Sequence, residues 1–122
     1  MAALFSQFAL IRRVRYHYFA LINNFNPLNM RNDTGQLWEN YLIMERVKFL
    51  RYSEIYANFY FWCTYSGVEI DLIEERDGNL FAFEIKYGKR SSKMPVSWKK
   101  AYPDSEFSDI NSVNFLEFIQ TL

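Results

Sequence analysis

Apolar and polar residues alternate along this chain with two periodicities, one typical of helices and one typical of strands. From residue 35 to residue 51 apolar residues recur at helical intervals, and Asp33 or Thr34 can cap a helix that begins there. Residues 58–65 are apolar on both faces, which favours a strand in the interior of a sheet. The pattern also predicts strands over 68–76, 79–87 and 106–110, and short helices over 96–102 and 114–122. A mixed sheet flanked by helices, in the order α-β-β-β-α-β-α, belongs to the α/β (α+β) class.

The two middle strands are predicted to form a hairpin, because Asp77-Gly78 lies between them. A two-residue loop at that point pairs Leu72 with Phe83 and brings Asp71 directly opposite Glu84. Like charges opposite one another on neighbouring strands are destabilising, since their Cβ atoms are only about 4.5–5.5 Å apart. We therefore expect a cation to lie beside the two carboxylates and offset their repulsion.

Side-chain alternation separates an apolar face of this hairpin from a charged face. The charged face carries Asp71, Glu84 and Lys86. The apolar face carries Ile70, Leu72, Phe81, Phe83 and Ile85. Two explanations fit the charged face. A hard divalent cation would turn the repulsion into attraction, or Lys86 neutralises one carboxylate in an ordinary ion pair.

The first helix supplies a third acid, Glu39. On a helical wheel it points between Leu42 and Ile43, in the middle of an apolar arc. A buried charge without a partner is costly, so Glu39 needs one. It either leans over the sheet toward the same cation or forms an ion pair with Arg46 or Lys86.

Composition limits the remaining choices. The 122 residues suffice for one domain, and Lys plus Arg equal Asp plus Glu at 14 each, so net charge does not indicate a partner. Charge is uneven locally, because the stretch 86–100 contains six basic residues and no acid. These are Lys86, Lys89, Arg90, Lys93, Lys99 and Lys100. Such a strip, with Tyr87 and Trp98 interleaved, is predicted to bind phosphates while the aromatics stack on bases; the alternative is a solvated loop.

Other residue types exclude several classes of function. A single histidine, His17, rules out histidine-rich zinc sites and HEXXH hydrolases, and no phosphate-binding glycine loop is present, so the chain has no nucleotide site of that kind. A single cysteine, Cys63, cannot form an internal disulfide and indicates a reducing, cytoplasmic compartment. Residues 1–22 are apolar but interrupted by Arg12, Arg13 and Arg15, which excludes a membrane span. We expect this segment to pack on the domain or on a partner.

The stretch GVEIDLIEERDGNLFAFEIKYG resembles the core motif of the PD-(D/E)XK superfamily, the restriction-endonuclease-like fold. That motif has an acid on one strand and a (D/E)-X-K sequence on the next, here Asp71 and Glu84-Ile85-Lys86. Ile70 stands where the name of the motif has proline, a frequent substitution in the superfamily. Glu39, within GQLWENYLIMER, takes the place of the acid that is common on the first core helix.

A closer resemblance is to the uncharacterised C-terminal domain of a family of prokaryotic AAA-type ATP-binding proteins. The segments that carry it are RNDTGQLWENYLIMERVK, YFWCTYSGVEIDLIEE and WKKAYPDSEFSDIN. It covers nearly everything from Asn23 to Ile119. We therefore expect a nuclease-like domain over residues 23–122, with residues 1–22 as the remnant of a longer protein whose ATPase part is missing here.

The resemblance implies a Mg²⁺-dependent phosphodiester hydrolase that acts on nucleic acid. Asp71, Glu84, the Ile85 carbonyl and Glu39 would hold Mg²⁺ or Mn²⁺, and Lys86 would orient or deprotonate the attacking water. The basic residues that would hold the nucleic-acid backbone are Lys89, Arg90, Lys93, Lys99 and Lys100.

An interaction module without catalysis is the alternative, because folds are readily reused without their chemistry. The N-terminal segment and a run of aromatic residues would then serve self-association or docking on an ATPase partner. This run contains Tyr56, Phe59, Tyr60, Phe61, Trp62 and Tyr65.

Overall fold

The computed structural model describes the backbone of residues 2–5 and the whole of residues 33–122. Its strands are β1 (Ala2–Phe5), β2 (Asn58–Thr64), β3 (Glu69–Arg76), β4 (Asn79–Ile85) and β5 (Glu106–Ile110). Its helices are α1 (Thr34–Tyr52), α2 (Val96–Ala101) and α3 (Phe115–Gln120). From α1 onward, this order is the one predicted from the hydrophobic pattern, and the mixed α/β (α+β) class is confirmed.

The five strands form one sheet in the order β1-β2-β3-β4-β5. Neighbouring strands are antiparallel from β1 to β4, whereas β4 and β5 are parallel and are connected through α2. Strand β1 belongs to the N-terminal segment 1–22 and pairs with β2 at the edge of the sheet. The rest of that segment, including Arg12, Arg13 and Arg15, lies outside the described residues.

Both faces of the sheet are covered by apolar side chains. On one face α1 and α3 pack through Leu42, Ile43, Leu50 and Phe118. On the other face Trp98 of α2 packs in a second cluster. Five consecutive residues of β3 are buried, as expected for the middle strand of a sheet with helices on both sides. None of the described helices combines the length and the apolar character needed to cross a membrane.

The predicted hairpin between β3 and β4 is confirmed. Asp77 and Gly78 both have positive φ, 50° and 78°, as the two central residues of a type I′ turn require. The ladder pairs Arg76 with Asn79 and continues to Leu72 opposite Phe83. A local turn signal has thus set the register of the two strands that carry the predicted motif.

Strand β3 contains a β-bulge that the sequence pattern did not reveal. Tyr60 pairs with Ile73 and Trp62 with Ile70, so one residue of β2 faces two residues of β3, Asp71 and Leu72. The extra residue shifts the alternation of β3 by one position. Ile70 therefore packs on the Trp98 side of the sheet with Ile73, and its predicted place beside Leu72 is wrong.

Candidate functional site

The bulge determines the position of Asp71. This carboxylate is buried, and its Oδ2 accepts a hydrogen bond of 2.8 Å from the backbone N–H of Ile85. The sequence predicted that Asp71 and Glu84 face each other as the next pair of the ladder. The regular ladder ends one pair earlier, at Leu72 and Phe83, so this pairing does not form. The carboxylate of Asp71 instead reaches across to the end of β4. Two of the predicted site residues, Asp71 and Ile85, are thus joined by a direct hydrogen bond.

Lys86 and Glu84 form an ion pair at the end of β4. The Nζ of Lys86 lies 2.9 Å from Oε1 of Glu84, and their side chains are 47% and 14% exposed. The pKa of Lys86 is raised, chiefly by its hydrogen bond to Glu84 and further by the negative charges of Glu84, Asp71 and Glu39, against a smaller opposing effect of burial. Lys86 is therefore a cation at neutral pH, under the electrostatic influence of all three predicted acids.

Glu39 approaches the same place from helix α1. It is half-buried and lies at the N-terminal end of the helix stripe that contains Leu42, Ile43 and Arg46. Together with Ile85, Lys86 and Tyr87 it lines a cavity of ≈ 420 Å³. Of the two ion-pair partners predicted for Glu39, Arg46 is bound to Glu74 instead, and the negative charge of Glu39 contributes to the raised pKa of Lys86. We refer to Glu39, Asp71, Glu84 and Lys86 as the open cluster.

The oxygen atoms available in the open cluster are of one chemical kind. Asp71 and Glu84 offer carboxylates and Ile85 offers a backbone carbonyl, and such hard oxygen donors suit Mg²⁺ or Mn²⁺. Within residues 33–122, no three His, Cys, Asp or Glu side chains are grouped closely enough to hold a metal ion by themselves. Mg²⁺ commonly binds to one or two carboxylates and keeps several waters.

A second charged cluster was missed by the sequence analysis. Arg46 donates from Nε and Nη2 to the carboxylate of Glu74, at 2.9 and 3.1 Å, and both side chains are fully buried. Its Nη1 donates to the carbonyls of Phe118 and Thr121, at 2.6 and 2.5 Å. The Nε of Arg76 lies 2.6 Å from Oε1 of Glu74, the oxygen that also accepts from Nη2 of Arg46. We call Arg46, Glu74 and Arg76 the closed cluster, because it joins α1, β3 and the end of α3 without access to solvent at Glu74.

The predicted basic strip is on the surface. All six of its basic residues are exposed, including Lys89, Arg90, Lys93, Lys99 and Lys100. Its two aromatic residues differ, however. Trp98 is fully buried against Trp62 and cannot stack on a base, so that part of the prediction is wrong, because α2 turns this side chain into the second core. Tyr87 is 56% exposed and lines the cavity of the open cluster.

The loop that carries Lys89 and Arg90 is fixed to the end of β5 by side chains that the sequence analysis did not single out. Asn111, which is buried, donates from Nδ2 to the Arg90 carbonyl at 3.2 Å, and Ser112 donates from both its N–H and its hydroxyl to the Gly88 carbonyl. Asn111 also accepts from the N–H of Val113. The available signal was the run DINSVN, since asparagine commonly bonds to nearby backbone.

The aromatic run of β2 is largely internal to this chain. Phe59 is buried against α1, and Trp62 is buried against Trp98 on the opposite face. The strongly exposed members, Tyr56 and Tyr65, precede and follow the strand and are therefore at its opposite ends. The run therefore explains the two cores of the sheet and does not form one continuous apolar surface.

Most of the described domain matches one known protein family. Residues 34–113 match the model of a domain of unknown function, DUF4143, which begins at α1 and ends just after β5. No significant match was found among curated proteins or among solved structures. Because the matched region is more than half of the chain and contains both charged clusters, the chain belongs to the DUF4143 family.

Proposed function

We propose that this domain is a Mg²⁺-dependent phosphodiester hydrolase that acts on nucleic acid. The observation that carries the proposal is the meeting of Asp71, which accepts from the N–H of Ile85, and the Glu84–Lys86 ion pair at the end of β4, beside a cavity lined by Glu39, Ile85 and Lys86. Carboxylates from two neighbouring strands and a backbone carbonyl are the hard oxygen ligands that a divalent cation prefers. Charged groups that meet beside a cleft are candidates for a functional site.

The donor set fits the metal that the PD-(D/E)XK resemblance implies. Asp71, Glu84 and the Ile85 carbonyl would hold Mg²⁺, and Glu39 lines a cavity together with Ile85 and Lys86. When bound, the ion would supply Lewis acidity to the phosphodiester and would acidify a nearby water. The bond between Asp71 and the N–H of Ile85 orients that carboxylate before any ligand arrives, which reduces the cost of forming the site.

Lys86 would act as a cation, not as a base in the resting site. Its raised pKa keeps the Nζ protonated, so Lys86 can donate a hydrogen bond to a phosphate oxygen and stabilise the negative charge that develops there. The exposed residues Lys89, Arg90 and Lys93 follow directly in the chain, where they can bind neighbouring phosphates.

The proposal extends to the place of this domain in larger proteins. We infer that the DUF4143 domain normally forms the C-terminal part of AAA-type ATP-binding proteins in the cytoplasm, as the sequence resemblance indicates. The single cysteine, which is unpaired, fits a reducing compartment.

Cleavage of labelled single-stranded and double-stranded oligonucleotides in Mg²⁺ and Mn²⁺ tests the proposal. We expect activity in the unmodified protein and its loss in Asp71→Asn and Lys86→Met. Glu106→Gln, which removes an exposed carboxylate from β5, is the control and should keep full activity. Activity that is equal in all four proteins indicates a contaminating nuclease. Absence of cleavage together with absence of Mn²⁺ binding would support the interaction module instead.

A further inference from the structure

The aromatic ring of Tyr87 stands at the rim of the candidate site. It follows Lys86 directly and lines the same cavity as Glu39 and Ile85. With 56% of its surface exposed, it is available to a ligand. This placement sets it apart from the other aromatic of the basic strip, Trp98, which is fully buried.

The Tyr87 ring is supported from behind by a second aromatic layer. Its centroid lies 5.9 Å from that of Trp38 at an angle of 72°, an edge-to-face contact. Trp38 in turn packs edge-to-face on Phe115 of α3 at 4.9 Å. A ring held in this way offers a surface to a ligand without first losing much conformational entropy, which favours binding.

Positive charge continues from this ring along the chain. Gly88, with a φ of 89°, turns the backbone, and the exposed Lys89 and Arg90 follow. The loop is fixed by the hydrogen bonds of Asn111 and Ser112 described above, so its charges have a defined place relative to Tyr87. No acidic residue occurs between residues 85 and 103. An aromatic platform next to ordered cations suits a ligand that combines flat rings with phosphates.

We propose that Tyr87 stacks on an unpaired base, so that the site selects single-stranded nucleic acid or frayed ends over closed duplex. In a duplex both faces of each base are already stacked, and a ring at the rim of a cavity cannot reach them. In a single strand the bases are free to stack on aromatic side chains, with little dependence on sequence. This inference rests on the proposed function for its substrate class, and it adds the strand preference.

Binding measured without catalysis tests the inference. Fluorescein-labelled oligothymidylate and a labelled blunt-ended duplex with G·C ends and the same number of phosphates are titrated by fluorescence anisotropy at low salt, in a chelator. We expect Tyr87→Ala to weaken binding of oligothymidylate about tenfold and to leave duplex binding unchanged. Tyr87→Phe should keep the affinity, because the ring and not the hydroxyl stacks. Tyr65→Ala removes another strongly exposed tyrosine, beyond the end of β2, and serves as the control.

The outcomes separate this inference from the proposed function. Oligothymidylate binding that is unaffected by Tyr87→Ala but lost on changing Lys89, Arg90 and Lys93 to Glu overturns the stacking role alone. An equal loss for oligothymidylate and duplex also overturns it, since the preference for unpaired bases is then absent. A stacking effect in a protein that cleaves neither substrate overturns the hydrolase and leaves the inference standing. No binding of either probe overturns the inference, and the hydrolase is then judged by the cleavage test described above.

Discussion

The closed and the open cluster both draw on helix α1 and strand β3 but differ in their surroundings. Helix α1 contributes Arg46 to one and Glu39 to the other, and β3 contributes Glu74 and Asp71. In the closed cluster one carboxylate is shared by two guanidinium groups, and Glu74 has no access to solvent. In the open cluster the ammonium of Lys86 pairs with the carboxylate of Glu84 beside a cavity that Glu39 also lines.

The difference shows how a buried charge can be assigned a role from its surroundings. The closed cluster uses its hydrogen bonds within the fold, to Glu74 and to the carbonyls of Phe118 and Thr121, and so connects the last helix to the sheet. The open cluster has a partly exposed ammonium and lies beside a cavity, where a ligand can reach it. We therefore expect changes in the closed cluster to affect stability, and changes in the open cluster to affect binding.

The largest effect is expected from Arg46→Met. Removal of one partner leaves Glu74 buried with only Arg76 near it, so the free energy of unfolding should fall by about 3–5 kcal/mol. Urea denaturation followed by circular dichroism measures the change. Arg51→Met, in the exposed last turn of the same helix, should cost less than about 1 kcal/mol. A loss of similar size for both variants would mean that the closed cluster has no special role in stability.

An intermediate effect is expected from metal ions on the open cluster. Millimolar Mn²⁺ should stabilise the unmodified protein by about 1–3 kcal/mol, as for a ligand well above its dissociation constant. Asp71→Asn should abolish this response. In a chelator the same variant should melt at an equal or higher temperature, because it removes one of three mutually repelling charges while its amide oxygen can still accept from Ile85. Thermal melts of both proteins, with Mn²⁺ and with chelator, measure these effects. If Asp71→Asn melts at a lower temperature and Mn²⁺ shifts the melting temperature of neither protein, the open cluster stabilises the fold and does not bind metal.

A smaller, local effect is expected from Asn111→Ala. This change removes the bond to the Arg90 carbonyl and one to Val113, at a cost of about 1 kcal/mol or slightly more. Hydrogen exchange should show faster exchange at the Ser112 N–H, which bonds to Gly88, and unchanged protection in β3. Protection lost equally throughout the sheet would contradict a local role for this side chain.

The smallest effect is expected from pH. Because the pKa of Lys86 is raised in the folded protein, its ion pair adds stability that is fully present below the pKa of lysine in the unfolded chain, about 10.4, and is lost as pH rises above it. The difference in melting temperature between the unmodified protein and Lys86→Met should therefore shrink over the pH range above about 10.4. A constant difference over this range would show that Lys86 contributes by packing and not by charge.

Local patterns predicted much of the fold and part of the site. The Asp77-Gly78 turn specified the register from Arg76 to Leu72, and the alternation of β4 correctly predicted that Glu84 and Lys86 lie together. Both conclusions depend only on neighbouring residues. The two cores of the sheet followed from β2, which is apolar on both faces.

Features that depend on distant parts of the chain could not be predicted. The partner of Arg46 is Glu74, which lies 28 residues further along the chain on β3. The helical wheel of α1 suggested only Glu39 as an acidic partner. Burial of Trp98 depends on how α2 meets Trp62 on another strand. The bulge arises from pairing between β2 and β3 and leaves no mark in the composition of either strand.

The bulge also bears on how related chains should be aligned. Deletion of one residue between Ile70 and Ile73 would restore an unbroken ladder and leave every flanking side chain on its present face, whereas a deletion elsewhere in β3 would turn part of the strand over. Asp71 thus lies at a one-residue insertion into an otherwise regular strand. A one-residue gap at this position in a relative would mark a domain that keeps the fold and has lost the placement of Asp71.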